Sequence, residues 1–323
     1  MPDRPLLVVL RPLGLGDLLA AVPALRAVAR AFPGHRRVLA APSWQAPLAR
    51  LTGAVHEVVD TAPLAPLPPE LHGADVAINL HGPGHRSTAV LVASAPRSVI
   101  AFDRQGTPRW RDDEHERDRW CRLLTESGIP ADPADFRLDV QSISVDERAL
   151  GATVIHPGAA AGARRWPAER WGAVAAAERA AGRSVVITGS IQELELAATV
   201  ARAGALGPDS VLAGRTSLLG LLGVVGSARR VVCGDTGIGH VASAVGTPSV
   251  ILFGPTPPAR WGPPSNGPHI ALWRGREGDP HADVLDPGLA GITVEDVIDA
   301  LAALPDRLVD AAGPRCRPAA VVD

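Results

Sequence analysis

Lysine and tyrosine are absent from this 323-residue chain, so all 32 of its basic residues are arginine. The missing lysine excludes Schiff-base catalysis and the lysine of a phosphate-binding P-loop. Any phosphate must therefore be gripped by arginine forks or backbone amides. Cysteine is scarce as well. Cys121, Cys233 and Cys316 are odd in number and widely spaced, which argues against a disulfide framework or zinc cluster and fits a reducing cytoplasm. Long apolar runs are missing. Residues 6–10 are stopped by Arg11 and Pro12, too short for a signal peptide, and no run approaches the roughly eighteen residues of a membrane span. A cytoplasmic protein without a transmembrane segment, at most peripheral to a membrane, is expected. Neither sign of charge dominates: 32 basic against 34 acidic residues leave −2, so no global field recruits nucleic acid.

The length exceeds what one core organises, and two domains of about 150 residues are expected. Residues 6–10 are continuously apolar, as in a strand buried on both faces of a parallel sheet. Further strands are expected at 37–41, 55–59, 75–80 and 98–102, then at 153–156, 184–188, 211–213, 230–233 and 249–253. Residues 17–32 place Leu18, Val22, Leu25 and Phe32 at helical spacing, with Asp17 suited to the N-cap and Pro23 to a kink. The run at 104–118 is highly charged, and a proline- and acid-bearing stretch at 132–151 carries little helical pattern. The expected fold is α/β, two Rossmann-like doubly wound domains facing a central cleft: residues 1–145, residues 146–305, and a tail, 306–323, that frays. The helix at 294–304 is free to pack back on the first domain.

In such domains ligands bind beyond the carboxyl ends of strands. Four loops there carry unusual chemistry. Gly234-Asp235-Thr236-Gly237-Ile238-Gly239-His240 joins an apolar strand to an apolar helix. Its glycines let the backbone approach a ligand, and the free amides of the helix start attract phosphate. Asp235 suits a sugar hydroxyl better than a phosphate; a plain capped turn is the competing reading. Gly14-Leu15-Gly16-Asp17 lacks the third glycine of a dinucleotide fingerprint, because position 19 is leucine. Asp17 serves there either as an N-cap or as a base toward a hydroxyl that becomes acidic as its bond forms.

Residues 156–167 are rich in small side chains and end in Arg164-Arg165-Trp166-Pro167. Arginine forks match phosphate oxygens and would neutralise a diphosphate leaving group, while Arg165 reads as decoration of a solvated helix start. His81-Gly82-Pro83-Gly84-His85-Arg86 has an HxxxH spacing, but glycine and proline between the histidines argue against a helical zinc pair. It reads as an acceptor contact or as a surface turn.

Taken together these residues resemble the ADP-heptose lipopolysaccharide heptosyltransferases, glycosyltransferase family nine. The resemblance rests on residues 11–17 continuing into Ala21-Val22-Pro23-Ala24-Leu25-Arg26, on Ile155-His156-Pro157-Gly158, on residues 165–171 and on residues 232–241. It implies a GT-B fold and an inverting, metal-independent transfer of a sugar, a heptose from ADP-heptose, to a glycan or small-molecule acceptor, with no cofactor. It implies Asp17 as the base. Arg164, Asp235, Thr236, Gly237 and His240 would hold the donor's phosphates and sugar, with Thr188, Gly189, Glu193 and Thr216 toward its nucleoside. Arg11, His81 and His85 would face the acceptor. Two departures stand out: Arg164 replaces the family's lysine, and Ala159-Ala160 replaces threonines near the phosphates. A nucleotide-sugar-binding protein, a GT-B epimerase and a Rossmann oxidoreductase are the alternatives.

Overall fold

A computed structural model describes residues 4–104, 106–310 and 313–316. Its contacts divide the chain into Met1–Leu138 and Asp139–Asp323. The division precedes the boundary expected after residue 145 because the intervening stretch packs into the second unit. A Cβ on Gly226 would lie 3.1 Å from Val140, and one on Gly223 would lie 2.4 Å from the Ser144 carbonyl.

In the first unit β1 (Leu6–Leu10), β2 (Arg36–Ala41), β3 (Glu57–Asp60), β4 (Val76–Asn79) and β5 (Ser98–Ile100) form a sheet in the order β3-β2-β1-β4-β5. Every pairing is parallel. The central strand is walled in on both faces, which is why its sequence is an unbroken apolar run. Helices α1 (Leu15–Ala31), α2 (Ala46–Leu51), α3 (His85–Ala93) and α4 (Glu116–Glu126) complete the unit. One local expectation changes: Gly14, not Asp17, is the N-cap of α1, and Asp17 stands in its first turn. The charged run at 104–118 leads into α4.

In the second unit β6 (Thr153–His156), β7 (Val185–Ile187), β8 (Arg230–Gly234), β9 (Ser249–Leu252) and β10 (His269–Leu272) pair in the order β10-β9-β8-β6-β7, again parallel. Helices α5 (Ala168–Ala180), α6 (Leu194–Ala203), α7 (Leu218–Ser227), α8 (Gly237–Val245), α9 (Pro258–Trp261), α10 (Pro287–Ala290) and α11 (Val294–Ala303) surround this sheet. Trp166 and Trp171 meet edge to face at 4.9 Å in its core; truncating such a ring costs about 3–5 kcal/mol. The strand expected at 211–213 is reduced to one bridge, Val211 to Ile187. Helix α11 packs on α5, β9 and β10 of its own unit. The tail expected to fray continues as β11 (Arg307–Asp310) antiparallel to β12 (Gly313–Cys316); residues 317–323 lie outside the described residues.

Each sheet has one place where strand order reverses direction: between β1 and β4 in the first unit, and between β6 and β8 in the second. Doubly wound sheets bind ligands at such switch points. The loops after these four strands carry Asp17, His81, Arg164 and Asp235.

Candidate functional site

On the first unit the site is built behind Asp17. The Gly14 amide donates to one carboxylate oxygen at 3.1 Å. Arg11, at the end of β1, donates through Nε to the Asp17 carbonyl at 3.0 Å and through a terminal nitrogen to the other carboxylate oxygen at 3.4 Å. The remaining donors of Arg11 reach the Leu80 carbonyl and Glu116, the latter at 3.1 Å, and its guanidinium lies over the Trp120 ring at 4.8 Å. Glu116 is itself held by Arg119 and by the Trp120 indole N–H at 2.8 Å.

Arg11 is 0 % exposed, so it does not offer the acceptor contact expected of it. It braces Asp17 from behind. A buried cation is tolerable only when paired and hydrogen-bonded, and Glu116, buried at 5 % exposure, provides the pairing. Local sequence reading missed Glu116, which stands 105 positions from Arg11.

His81 follows β4 on the other side of the switch point. Its amide donates to the Asn79 side chain at 2.9 Å, and Asn79 donates in turn to Ser87 and Thr88 of α3, each at 2.9 Å. Burial, then the neighbouring Arg11 charge, hold the His81 pKa below its ordinary value, with Asp17 opposing. Its Nδ1 is buried without a partner. His85 opens α3 and is exposed; it lines a separate hollow of about 260 Å³ with Thr88, Phe102 and Arg104. The structure thus gathers Arg11, Asp17 and His81, and leaves His85 beside them.

On the second unit the chain turns from β8 into α8 within the expected loop, with Thr236 as N-cap and Gly237 as the first helical residue. The Thr236 hydroxyl makes no capping bond, which leaves it, with the first-turn amides, for an anion. At Gly234 a Cβ would sit 3.2 Å from the Arg164 carbonyl, a tight contact that glycine avoids. Asp235 is 9 % exposed, and burial raises its pKa to about 6 against the opposing pull of Arg164. Arg164 donates to the Asp235 carbonyl at 3.1 Å and keeps a buried Nε without a partner. His240 meets Trp261 edge to face at 5.8 Å.

Around β6 and β7, Thr188 is 0 % exposed and shares a 3.0 Å hydrogen bond with the ring of His156. Glu193 accepts from the Ser190 amide at 2.7 Å and its hydroxyl at 2.9 Å. Gly158 and Gly189 leave room for Glu193: a Cβ on Gly158 would lie 2.0 Å from its carboxylate, and one on Gly189 would lie 3.2 Å from its Cβ. Thr216 precedes the Ser217 cap of α7. Arg165 does more than decorate a helix start. It donates to the Ala159 and Ala160 carbonyls at 2.8 and 3.3 Å and folds the small-residue loop back on itself.

Two parallel doubly wound units, with an aspartate at one switch point and an arginine, a helix start and a carboxylate at the other, define a glycosyltransferase of the GT-B class. The chain belongs to glycosyltransferase family 9 (heptosyltransferase), whose family model matches residues 75–282. It is 26% identical over 278 residues to lipopolysaccharide heptosyltransferase 1 of Pseudomonas aeruginosa, covering 76% of this chain and 77% of that protein. Its fold superimposes on E. coli ADP-heptose lps heptosyltransferase II with a TM-score of 0.72 at 21% identity, covering 92% and 97% of the two chains. It also superimposes on E. coli heptosyltransferase WaaC with ADP, at 0.69 and 20%, covering 92% and 99%. Family membership sets aside the oxidoreductase reading.

Proposed function

We propose that this enzyme transfers a heptose from ADP-heptose to a hydroxyl of a lipopolysaccharide-type glycan, with inversion, without a metal and on the cytoplasmic side of the membrane. Among the described residues no helix is long and apolar enough to cross a membrane. The observation that carries the reading is the braced carboxylate of Asp17, fixed by the Gly14 amide and by Arg11 at the first unit's switch point.

The acceptor oxygen attacks the anomeric carbon while its proton passes to Asp17. The bond from that carbon to the diphosphate oxygen breaks, and ADP leaves with the electron pair. Arg164, the first-turn amides of α8 and the Thr236 hydroxyl stabilise the departing charge. Asp235 accepts from donor sugar hydroxyls, and Glu193 from the ribose. Arg11 and Glu116 keep Asp17 in place and do not touch substrate. His81, half-buried at the same switch point, faces the acceptor.

Asp17→Asn tests this. Removing the base should lower kcat by about 10²–10⁴ while ADP-heptose affinity, read by titration calorimetry, stays at the wild-type value. Wild-type turnover in the variant would overturn the assignment. A thermal-shift panel of ADP-, UDP-, GDP- and dTDP-sugars checks the donor, because a ligand shifts stability in proportion to its affinity.

A further inference from the structure

Of the seven tryptophans in the chain, six are engaged. Trp110 and Trp120 pack on Phe102, Trp166 on Trp171 and Trp261 on His240, while Trp273 donates to the Gly254 carbonyl. Trp44 is different. It is 50 % exposed, on a protein whose other large rings are placed inside or against partners.

The turn that displays it, Ser43–Gln45, follows β2 and is pinned on both sides. The Ser43 amide donates to Asp60, at the end of β3, at 2.6 Å. The Gln45 side chain, 0 % exposed, donates to the Leu13 carbonyl at 2.6 Å and the Gly14 carbonyl at 3.4 Å. Gly14 is the residue whose amide holds the Asp17 carboxylate. The Gln45 side-chain oxygen is buried without a partner.

Strand order makes the placement meaningful. β1 lies between β2 and β4, so the loop bearing Asp17 is flanked by the turn bearing Trp44 and by the loop bearing His81. Tryptophan presents a large apolar face and is enriched where a protein meets a ligand, and a rigid turn that holds one next to the segment bearing Asp17 points to a ligand with an apolar face. A pyranose is such a ligand, because its axial C–H bonds present a flat apolar surface while its hydroxyls point outward. We propose that Trp44 is the platform on which the acceptor's sugar ring stacks, with one ring hydroxyl delivered to Asp17. The inference rests on the function proposed above.

The probe is a deacylated lipopolysaccharide core oligosaccharide, with ADP-heptose as donor. Trp44→Ala should raise the acceptor KM by roughly tenfold or more, the loss typical of an aromatic anchor. Donor affinity and the slow hydrolysis of ADP-heptose in the absence of acceptor should stay unchanged. Trp44→Phe, which keeps a ring, should recover most of the loss, and the acceptor-induced change in tryptophan fluorescence should vanish in it. An unchanged acceptor KM in Trp44→Ala, alongside wild-type transfer, overturns the inference and leaves the function standing. So does a Trp44→Ala effect confined to sedimentation or to binding of anionic phospholipid vesicles, which would make the indole a contact for a second copy or for a membrane. If the wild-type enzyme moves no heptose to the oligosaccharide, the proposed function fails and this inference falls with it.

Discussion

Asp235→Asn should make the protein more stable and less active at once. Burial raises the Asp235 pKa from its ordinary 3.8 to about 6. At about 1.4 kcal/mol per pKa unit, keeping that carboxylate ionised in the folded state costs roughly 3 kcal/mol. This value is already net of the attraction of Arg164, which opposes the shift. The sign follows from proton binding. Between about pH 4 and pH 6 the folded protein holds a proton on Asp235 that the unfolded chain has released, so this site's contribution to stability falls as pH rises. Above about pH 6 the cost is complete, and below about pH 4 it is absent.

Asparagine carries no such cost. The variant's stability advantage should therefore be near zero at pH 4 and reach up to about 3 kcal/mol at pH 8, a rise in Tm of roughly 2–4 °C per kcal/mol for a unit of this size. Urea unfolding of both proteins across that pH range measures the gap and cancels every other titrating group. Donor binding should move the opposite way, since asparagine accepts more weakly from sugar hydroxyls; in the wild type, affinity for ADP-heptose should also fall as pH drops through 6. Equal stability of the two proteins at pH 8, or a gap that is the same at pH 4 and pH 8, would refute the reasoning.

Glu116→Gln removes the closer and more buried of the two carboxylates that pair with Arg11, leaving only Asp17 at 3.4 Å, at a cost of up to about 3–5 kcal/mol. Denaturation should show that loss and kcat should fall, while ADP titration, which reads loops on the other unit, stays at the wild-type affinity; a fully active and stable variant would remove the positioning role of Arg11. Gly158→Ala puts a methyl group 2.0 Å from the Glu193 carboxylate, which swings away on a flexible side chain. Folding should lose only about 1 kcal/mol, the worth of its cap on Ser190, but ADP affinity should drop roughly tenfold in calorimetry, and unchanged affinity would show that Glu193 does not hold the ribose.

Much of this was legible in sequence because buried parallel strands read as unbroken apolar runs, and Thr153–His156 is found at its expected bounds. The turn into α8 was legible because three glycines interrupt an apolar strand and an apolar helix, and the helix begins at Gly237. Asp17 was misread as the N-cap because aspartate caps better than glycine by preference. The chain instead uses Gly14 as the cap and lets the carboxylate three residues on reach back to its amide, the second half of a capping box. Arg11 could not be placed at all from its neighbours in sequence. The groups that enclose it, Leu80 and Glu116, are 69 and 105 residues away. Glu116 lies in the highly charged run and Arg119 just after it; charged residues are almost never buried unless paired, and pairing is a property of the fold.

A lysine-free enzyme that expels a diphosphate has to build its cationic end differently. Lysine would bring a compact charge on a flexible stem, placed wherever the phosphate pulls it. Arg164 is instead anchored before any donor arrives, through its bond to the Asp235 carbonyl, and the loop carrying it is bound by the Ala163 amide to the Ala282 carbonyl at 2.8 Å. Gly162 permits that closeness, for a Cβ there would overlap the Asp283 carbonyl. The two alanines that stand for hydroxyls leave their backbone carbonyls to Arg165. In the proposed mechanism, polar contact with the diphosphate would thereby be concentrated in one fixed guanidinium and the start of α8, so that recognition of the leaving group would rely on preorganised geometry more than on adaptable side chains.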